Sequence, residues 1–244
     1  MITKTQNYKP VKNLLSKGST NSKTAKNSLE TFILYLAPER QNSKGVNLCP
    51  KASKGCAAAC LYTAGRGKFS NVKKSRINKS EYYISDKKTF INQLSKEIVK
   101  IAAKAIKQNK KIAIRLNGTS DQDFISIIKK YNNLDLLNGD QFKNLVFYDY
   151  TAILGKIKKY INTSYSLTLS RKEDNENEII EALKLGGNVA AVFRDELPTT
   201  YKGFTVVNGD TSDLEMLYNK NVILGLKAKG DAKKDKSGFV IDNN

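Results

Sequence analysis

Short apolar runs alternating with helical stretches constrain this chain more than any other feature. The runs occupy residues 31–37, 111–117, 145–151, 164–170, 188–193, 204–208 and 222–226. Each is brief and rich in β-branched or aromatic residues, as strands are. Between several of them, apolar positions recur at helical spacing. The clearest case starts at Ser85 or Asp86 and carries Phe90, Leu94, Ile98, Ile101 and Ala105. Residues 124–131, 152–161 and 176–185 read the same way, the last closed by Gly186 and Gly187. A further helix is expected near residues 71–83. This alternation predicts βαβ units, an α/β fold and a mostly parallel sheet of six or seven strands.

The polar residues then bear on the kind of sheet. A sheet covered on both faces has strands that are apolar on both parities. Here several strands carry polar groups late in the run and on one parity. Arg115 and Asn117 share a face, as do Thr168 and Ser170, and Lys227 and Lys229. Asp149, Arg194, Asn208 and Asp210 stand at similar late positions. The C-terminal rim of parallel strands is where α/β proteins place their sites. A partial (β/α) barrel with a lined cavity is therefore the expected frame.

The chain contains no histidine. Ser-His-Asp and Cys-His hydrolases, His-ligated zinc and paired-His nuclease metal sites are thereby excluded. Ser120 and Thr119 have no neighbouring base that would make either a nucleophile. The formal charge of +19 points to a polyanionic partner or to a surface that nucleic acid would visit.

All three cysteines fall within residues 49–60, in the connection after the first run. Cys56 and Cys60 would share a helical face, and Gly55 permits the turn that folds Cys49 back toward them. Core cysteines would scatter, whereas these cluster and the remaining chain has none. Structural zinc usually takes four Cys or His ligands, so three thiolates leave it one short. An iron–sulfur cubane tolerates one iron without a cysteine. A [4Fe–4S] cluster on Cys49, Cys56 and Cys60 is the expectation, with zinc as the alternative.

A three-cysteine loop after the first strand of a partial barrel resembles the radical SAM superfamily. That resemblance implies a cluster whose open iron binds the amine and carboxylate of S-adenosylmethionine. It also implies that the polar turn after the second strand, here Asn117, Gly118, Thr119, Ser120 and Asp121, contacts the ligand, with Thr168 and Ser170 facing the nucleoside. The spacing here, six residues and then three, is longer than in that superfamily, and Ala59 stands where an aromatic residue is usual.

Other motifs are CP-x-A-S-x-GC at residues 49–56, ACLYTAGRG-x-F at 59–69 and RLNGTSD at 115–121. YDYT at 148–151 and L-x-AKG-x-AKKD-x-SGFV at 226–240 complete the set. Together they resemble an uncharacterised bacteriophage family of the gene product 88 type, over nearly all of the chain after its first 28 residues. The resemblance implies expression in the cytoplasm of a bacterial host.

The candidate ligand-binding residues for a small anionic ligand at the cluster are Arg66, Arg115, Asn117, Thr119, Asp121, Asp149, Ser170 and Arg194. Arg66 enters because its planar fork pairs bidentately with carboxylate or phosphate. Lys73, Lys74, Arg76 and Lys79, beside Tyr82 and Tyr83, form a candidate basic-aromatic patch for nucleic acid. The function class that competes with an iron–sulfur enzyme is a non-enzymatic nucleic-acid-binding protein of phage replication with a structural metal.

Residues 1–28 read as a basic arm, disordered or draped over a single domain at residues 29–244. No apolar run is long enough to span a membrane, and no signal-peptide segment is visible. An odd set of clustered cysteines is not a secreted disulfide framework, so a reducing cytoplasm is expected.

Overall fold

The computed structural model describes residues 8–20, 25 and 27–242. Its central sheet has the order β1-β2-β3-β4-β5-β6-β9-β8-β7. The strands are β1 (Leu15–Lys17), β2 (Glu30–Leu34), β3 (Ile112–Arg115), β4 (Leu145–Thr151) and β5 (Tyr165–Ser170). They continue with β6 (Asn188–Phe193), β7 (Thr200–Tyr201), β8 (Phe204–Asn208), β9 (Ile223–Lys227) and β10 (Val240–Ile241). From β2 through β6 to β9 and β8 every pairing is parallel, while β1 and β7 run antiparallel at the two edges. The result is a mixed α/β protein with a mostly parallel, open sheet.

Seven helices accompany the strands among the described residues: α1 (Lys54–Ala58), α2 (Ser70–Ser85), α3 (Lys87–Lys107), α4 (Phe124–Asn132), α5 (Leu154–Tyr160), α6 (Glu176–Lys184) and α7 (Glu215–Tyr218). Local chemistry sets their ends. Asp86 caps α3 by accepting from the Thr89 amide at 3.2 Å, and Asp123 caps α4 through the Ser126 amide at 3.2 Å. Gly186, at φ +87°, takes the left-handed conformation that ends α6.

Strand parity divides the interior. Ile112, Ile114, Leu116, Phe147, Leu167, Leu169, Val189 and Ala191 pack with Phe90, Leu94, Ile98, Ile128, Ile157 and Ile179 from α3 to α6. On the other face Ala113, Tyr148, Ala190 and Leu224 meet Leu214 and Met216. This second face also carries Arg115 and Thr168, so it mixes apolar and polar groups while the helix-covered face is almost wholly apolar.

The described part of the expected N-terminal arm is an integral piece of the fold. Leu14 is fully buried. The Glu97 carboxylate accepts from the Leu14 amide at 2.8 Å and from the Leu15 amide at 2.9 Å. Gln93 donates to the Val11 carbonyl at 2.9 Å, and Tyr8 stacks on Tyr82 with centroids 4.5 Å apart. Backbone groups of a polar segment thus find partners on α3, which composition does not reveal. Residues 1–7, 21–24 and 26 of that arm lie outside the described residues.

Among the described residues no helix is long and apolar enough to cross a membrane.

Candidate cysteine site

The cysteine loop begins where β2 ends and is gripped from three sides. The Cys49 thiol faces the Thr119 carbonyl at 3.7 Å, which joins the loop to the turn after β3. Cys56 lies in α1, whose first turn is capped by Ser53: its hydroxyl accepts from the Cys56 amide at 3.1 Å. The same hydroxyl donates to Glu173 at 2.6 Å, and the Gly55 amide donates to the other Glu173 oxygen at 2.8 Å. Buried Lys172 donates to the Lys51 carbonyl at 3.0 Å. Hydrogen bonds to a charged partner contribute about 1.5–3 kcal/mol each, so Lys172 and Glu173, from the loop after β5, are strong anchors. Behind α1 the C-terminal segment closes in: a Cβ on Gly55 would sit 2.8 Å from the Phe239 Cβ.

None of the three cysteines is in a disulfide, and all are partly buried. Burial pushes the Cys49 and Cys56 thiols up to about 12, and Cys60 rises for the same reason. The neighbouring thiols add to this: Cys60 raises both Cys49 and Cys56, and Cys49 raises Cys56. Opposing charges come from Lys172 beside Cys56 and Arg76 beside Cys60. Among the described residues no three Cys, Asp or Glu side chains converge as ligands of one ion. Tetrahedral zinc at about 2.3 Å would require sulfurs about 3.8 Å apart. A cluster binds each thiolate through a different iron, so its ligands stand further apart. Three thiols in one loop are the donor type that an iron–sulfur cluster takes.

Arg76 belongs to this site and not to a surface patch. Its guanidinium lies 4.6 Å from the Tyr35 ring centroid and 5.5 Å from that of Tyr62. Its Nε and Nη1 are buried without a hydrogen-bond partner. The rest of the expected basic-aromatic patch is likewise dispersed. Lys79 is buried and donates to the Leu14 carbonyl at 2.6 Å, while Tyr82 and Tyr83 are core residues. Lys73 lies 5.4 Å from the Tyr62 centroid, and Lys74 is exposed. The polar look of α2 misleads because polar side chains near its C-terminal end face inward: Ser80 accepts from the Ala37 amide at 2.8 Å, and Glu81 accepts from the Ser43 hydroxyl at 2.7 Å.

The turn after β3 is tightly built. The Asp149 carboxylate accepts from the Leu116 amide at 3.1 Å, the Asn117 amide at 2.9 Å and the Tyr165 hydroxyl at 2.8 Å. Burial pushes this carboxyl up to about 6, against the pull of Arg115. Asn117 spends its amide on the Gln122 carbonyl and Asp149, and its oxygen accepts from Gln122 and Ser120. Asp121 is equally engaged, by Lys156 at 2.6 Å, Thr151 at 2.9 Å and the Ala152 amide at 2.8 Å. The Thr119 hydroxyl donates to the Leu36 carbonyl at 2.5 Å. Asn117, Thr119, Asp121 and Asp149, expected to touch a ligand, thus direct their polar groups inward as the frame of the turn. Thr119 alone meets a cysteine, through its carbonyl.

The remaining candidates separate. Arg115 pairs with Asp213 at 3.2 Å and lies 4.9 Å from the Tyr150 centroid, within the second face of the sheet. Arg194 is no cavity residue: it pairs with Asp242 and donates to the Lys233 carbonyl at 2.9 Å and the Asp235 carbonyl at 2.7 Å, tying down the C-terminal segment. Arg66 is exposed, and Ser170 is half-buried at the end of β5. Sequence reasoning missed Tyr35, Tyr62, Lys172 and Glu173. The charged triplet Arg171-Lys172-Glu173, just past a strand end, was the available signal for the last two.

One comparison places the chain. Its residues 4–243 match the sequence profile of gene product 88. The chain belongs to the gene product 88 family, a bacteriophage protein family. No curated protein and no solved structure matches it. In this gene product 88 chain the motifs at residues 49–69, 115–121 and 226–240 surround one place: the cysteine helix, the turn that meets Cys49, and the segment packed behind Gly55.

Proposed function

We propose that the protein holds a [4Fe–4S] cluster through Cys49, Cys56 and Cys60, with the remaining iron open to a small anionic ligand. The observation that carries this reading is the grouping of all three unpaired thiols in one partly buried loop, with Cys49 against the Thr119 carbonyl. Strand order supports it. From β2 to β6 each strand lies parallel to and beside its predecessor, as in the winding of a (β/α) barrel, before the order turns back through β9, β8 and β7. The cysteine loop follows the first of these strands and the Gly118 turn the second, the positions that radical SAM-like chemistry would use.

When bound, such a cluster supplies one-electron reduction to the ligand at its open iron. The chain's own residues do the rest. The three thiolates hold the irons and their burial keeps water away. Arg76 and Lys172 balance the added negative charge, and Glu173 fixes the helix that carries Cys56. S-adenosylmethionine is the first ligand to try, and the host cytoplasm is the reducing compartment in which these thiols would work.

Purification without oxygen tests the reading. About four irons and four sulfides per chain are expected, with most of the iron lost on changing any one cysteine to Ala. Adding S-adenosylmethionine to the reduced protein should perturb the EPR spectrum. One tightly held zinc with no sulfide would sink the cluster and favour the structural-metal alternative.

A further inference from the structure

The cysteine segment carries charge in a way the cluster does not require. From Arg40 to Ser80 the chain has ten basic residues and no acidic one. Lys44, Lys51, Lys54, Lys68 and Lys74 are exposed, and none has a carboxylate partner among the described residues. Two large apolar side chains of the same segment are also exposed, Leu61 at 57% and Phe69 at 52%. The fold then adds charge from far along the chain. The turn at Gly230–Lys234 packs against the turn at Leu61–Thr63, and a Cβ on Gly230 would lie 3.0 Å from the Ala64 Cβ. Lys233 and Lys234 are thereby brought, exposed, to the edge of this surface.

We propose that this part of the surface, which presents Leu61 and Phe69 together with Lys68, Lys74, Lys233 and Lys234, binds single-stranded nucleic acid. The charge is complementary to a phosphate backbone, and its neutralisation releases counterions. The exposed ring selects the single strand, because only an unstacked base offers its π-face. The surface is preorganised. Gly65 at φ +51° makes the bend, and a Cβ on Gly67 would lie 2.9 Å from the Tyr62 carbonyl oxygen, so the short turns that present Phe69 are close-packed. Leu61 directly follows Cys60, so a bound strand would run beside the thiols. Such binding does not require the cluster.

Fluorescence anisotropy of the full-length protein with labelled oligothymidylate, and with a duplex of equal charge, tests it. Tighter binding of the single strand is expected, weakening steeply with salt. Phe69→Ala should lower affinity for the single strand about tenfold and Phe69→Tyr should restore it. The pair Lys233→Glu and Lys234→Glu should reduce the salt slope by about 1.4, the share of two phosphate contacts on a single strand. Iron content and circular dichroism on the same samples separate this result from the fate of the cluster. Equal binding of the duplex, indifference to Phe69→Ala, or no binding at low salt would overturn the proposal. So would equally good competition by polyglutamate, which would mark the face as a dock for an acidic protein.

Discussion

The Arg76 guanidinium lies over the Tyr35 ring, 4.6 Å from its centroid, and two of its nitrogens are buried without hydrogen bonds. A cation held by rings and left with unspent donors beside Cys60 is suited to a negatively charged neighbour. Arg76→Met should shorten the retention of iron against a chelator about tenfold, the usual size of losing an outer partner of a metal site. Arg76→Lys should recover part of that loss. Equal retention in all three proteins would make Arg76 a packing residue only.

Gly118 shows how closely the Thr119 turn is fitted to Tyr35. A Cβ at this position would lie 2.4 Å from the Tyr35 Cδ1. Gly118→Ala should cost about 1–3 kcal/mol through overpacking, and for a chain of this size Tm should fall by roughly 3–10 °C. Combining it with Tyr35→Ala should relieve the clash, so that the double variant melts higher than the sum of the two single effects requires. Strict additivity in that cycle would contradict the fit.

Lys79 gives a pH signature. Burial lowers its amine to about 8 from an ordinary value near 10.5. Between those values the unfolded chain holds a proton that the folded chain does not, so this group's contribution to stability rises with pH through that window. The destabilisation is present in full below pH 8 and is worth roughly 3 kcal/mol at most. The neutral amine still donates to Leu14, so the hydrogen bond survives the titration. In denaturant melts the change in stability from pH 8 to pH 10 should be more favourable for the parent protein than for Lys79→Met, because the raised cysteine thiols, which lose stability over the same range, are common to both. An unchanged pH dependence in the variant would count against it.

Phe239 tests whether the C-terminal segment supports the cysteine helix. It is 9% exposed and presses on Gly55. Phe239→Ala should cost about 3 kcal/mol, and iron should leave faster although every thiol remains. A fall in Tm with iron retention unaltered would separate the segment from the site.

Much of the sheet is legible along the chain. The expected strands at 145–151, 188–193 and 204–208 coincide with β4, β6 and β8, because apolar β-formers bounded by turn residues leave few other choices. The long helix from Asp86 is equally clear, since Phe90, Leu94 and Ile98 repeat on one buried face. α2 defeats the same reasoning: Lys79, Ser80 and Glu81 are buried in succession, and polar side chains that spend their hydrogen bonds inside the fold leave no apolar period. β1 is hidden for a related reason, since its approach depends on Glu97, more than eighty residues away.

The sequence by itself determined that a parallel α/β sheet would form and that three cysteines would share one loop after its first parallel strand, because hydrophobic period and covalent proximity are local properties. Only the tertiary structure decided which charges meet those thiols. Glu173 reaches the Gly55 amide across 118 positions, Arg76 turns from the surface toward Tyr35, and Asn117, Asp121 and Asp149 turn from candidate ligand contacts into the frame of the turn. A buried polar group takes whatever complementary partner the fold brings within hydrogen-bond distance, and that distance is measured in space and not along the chain.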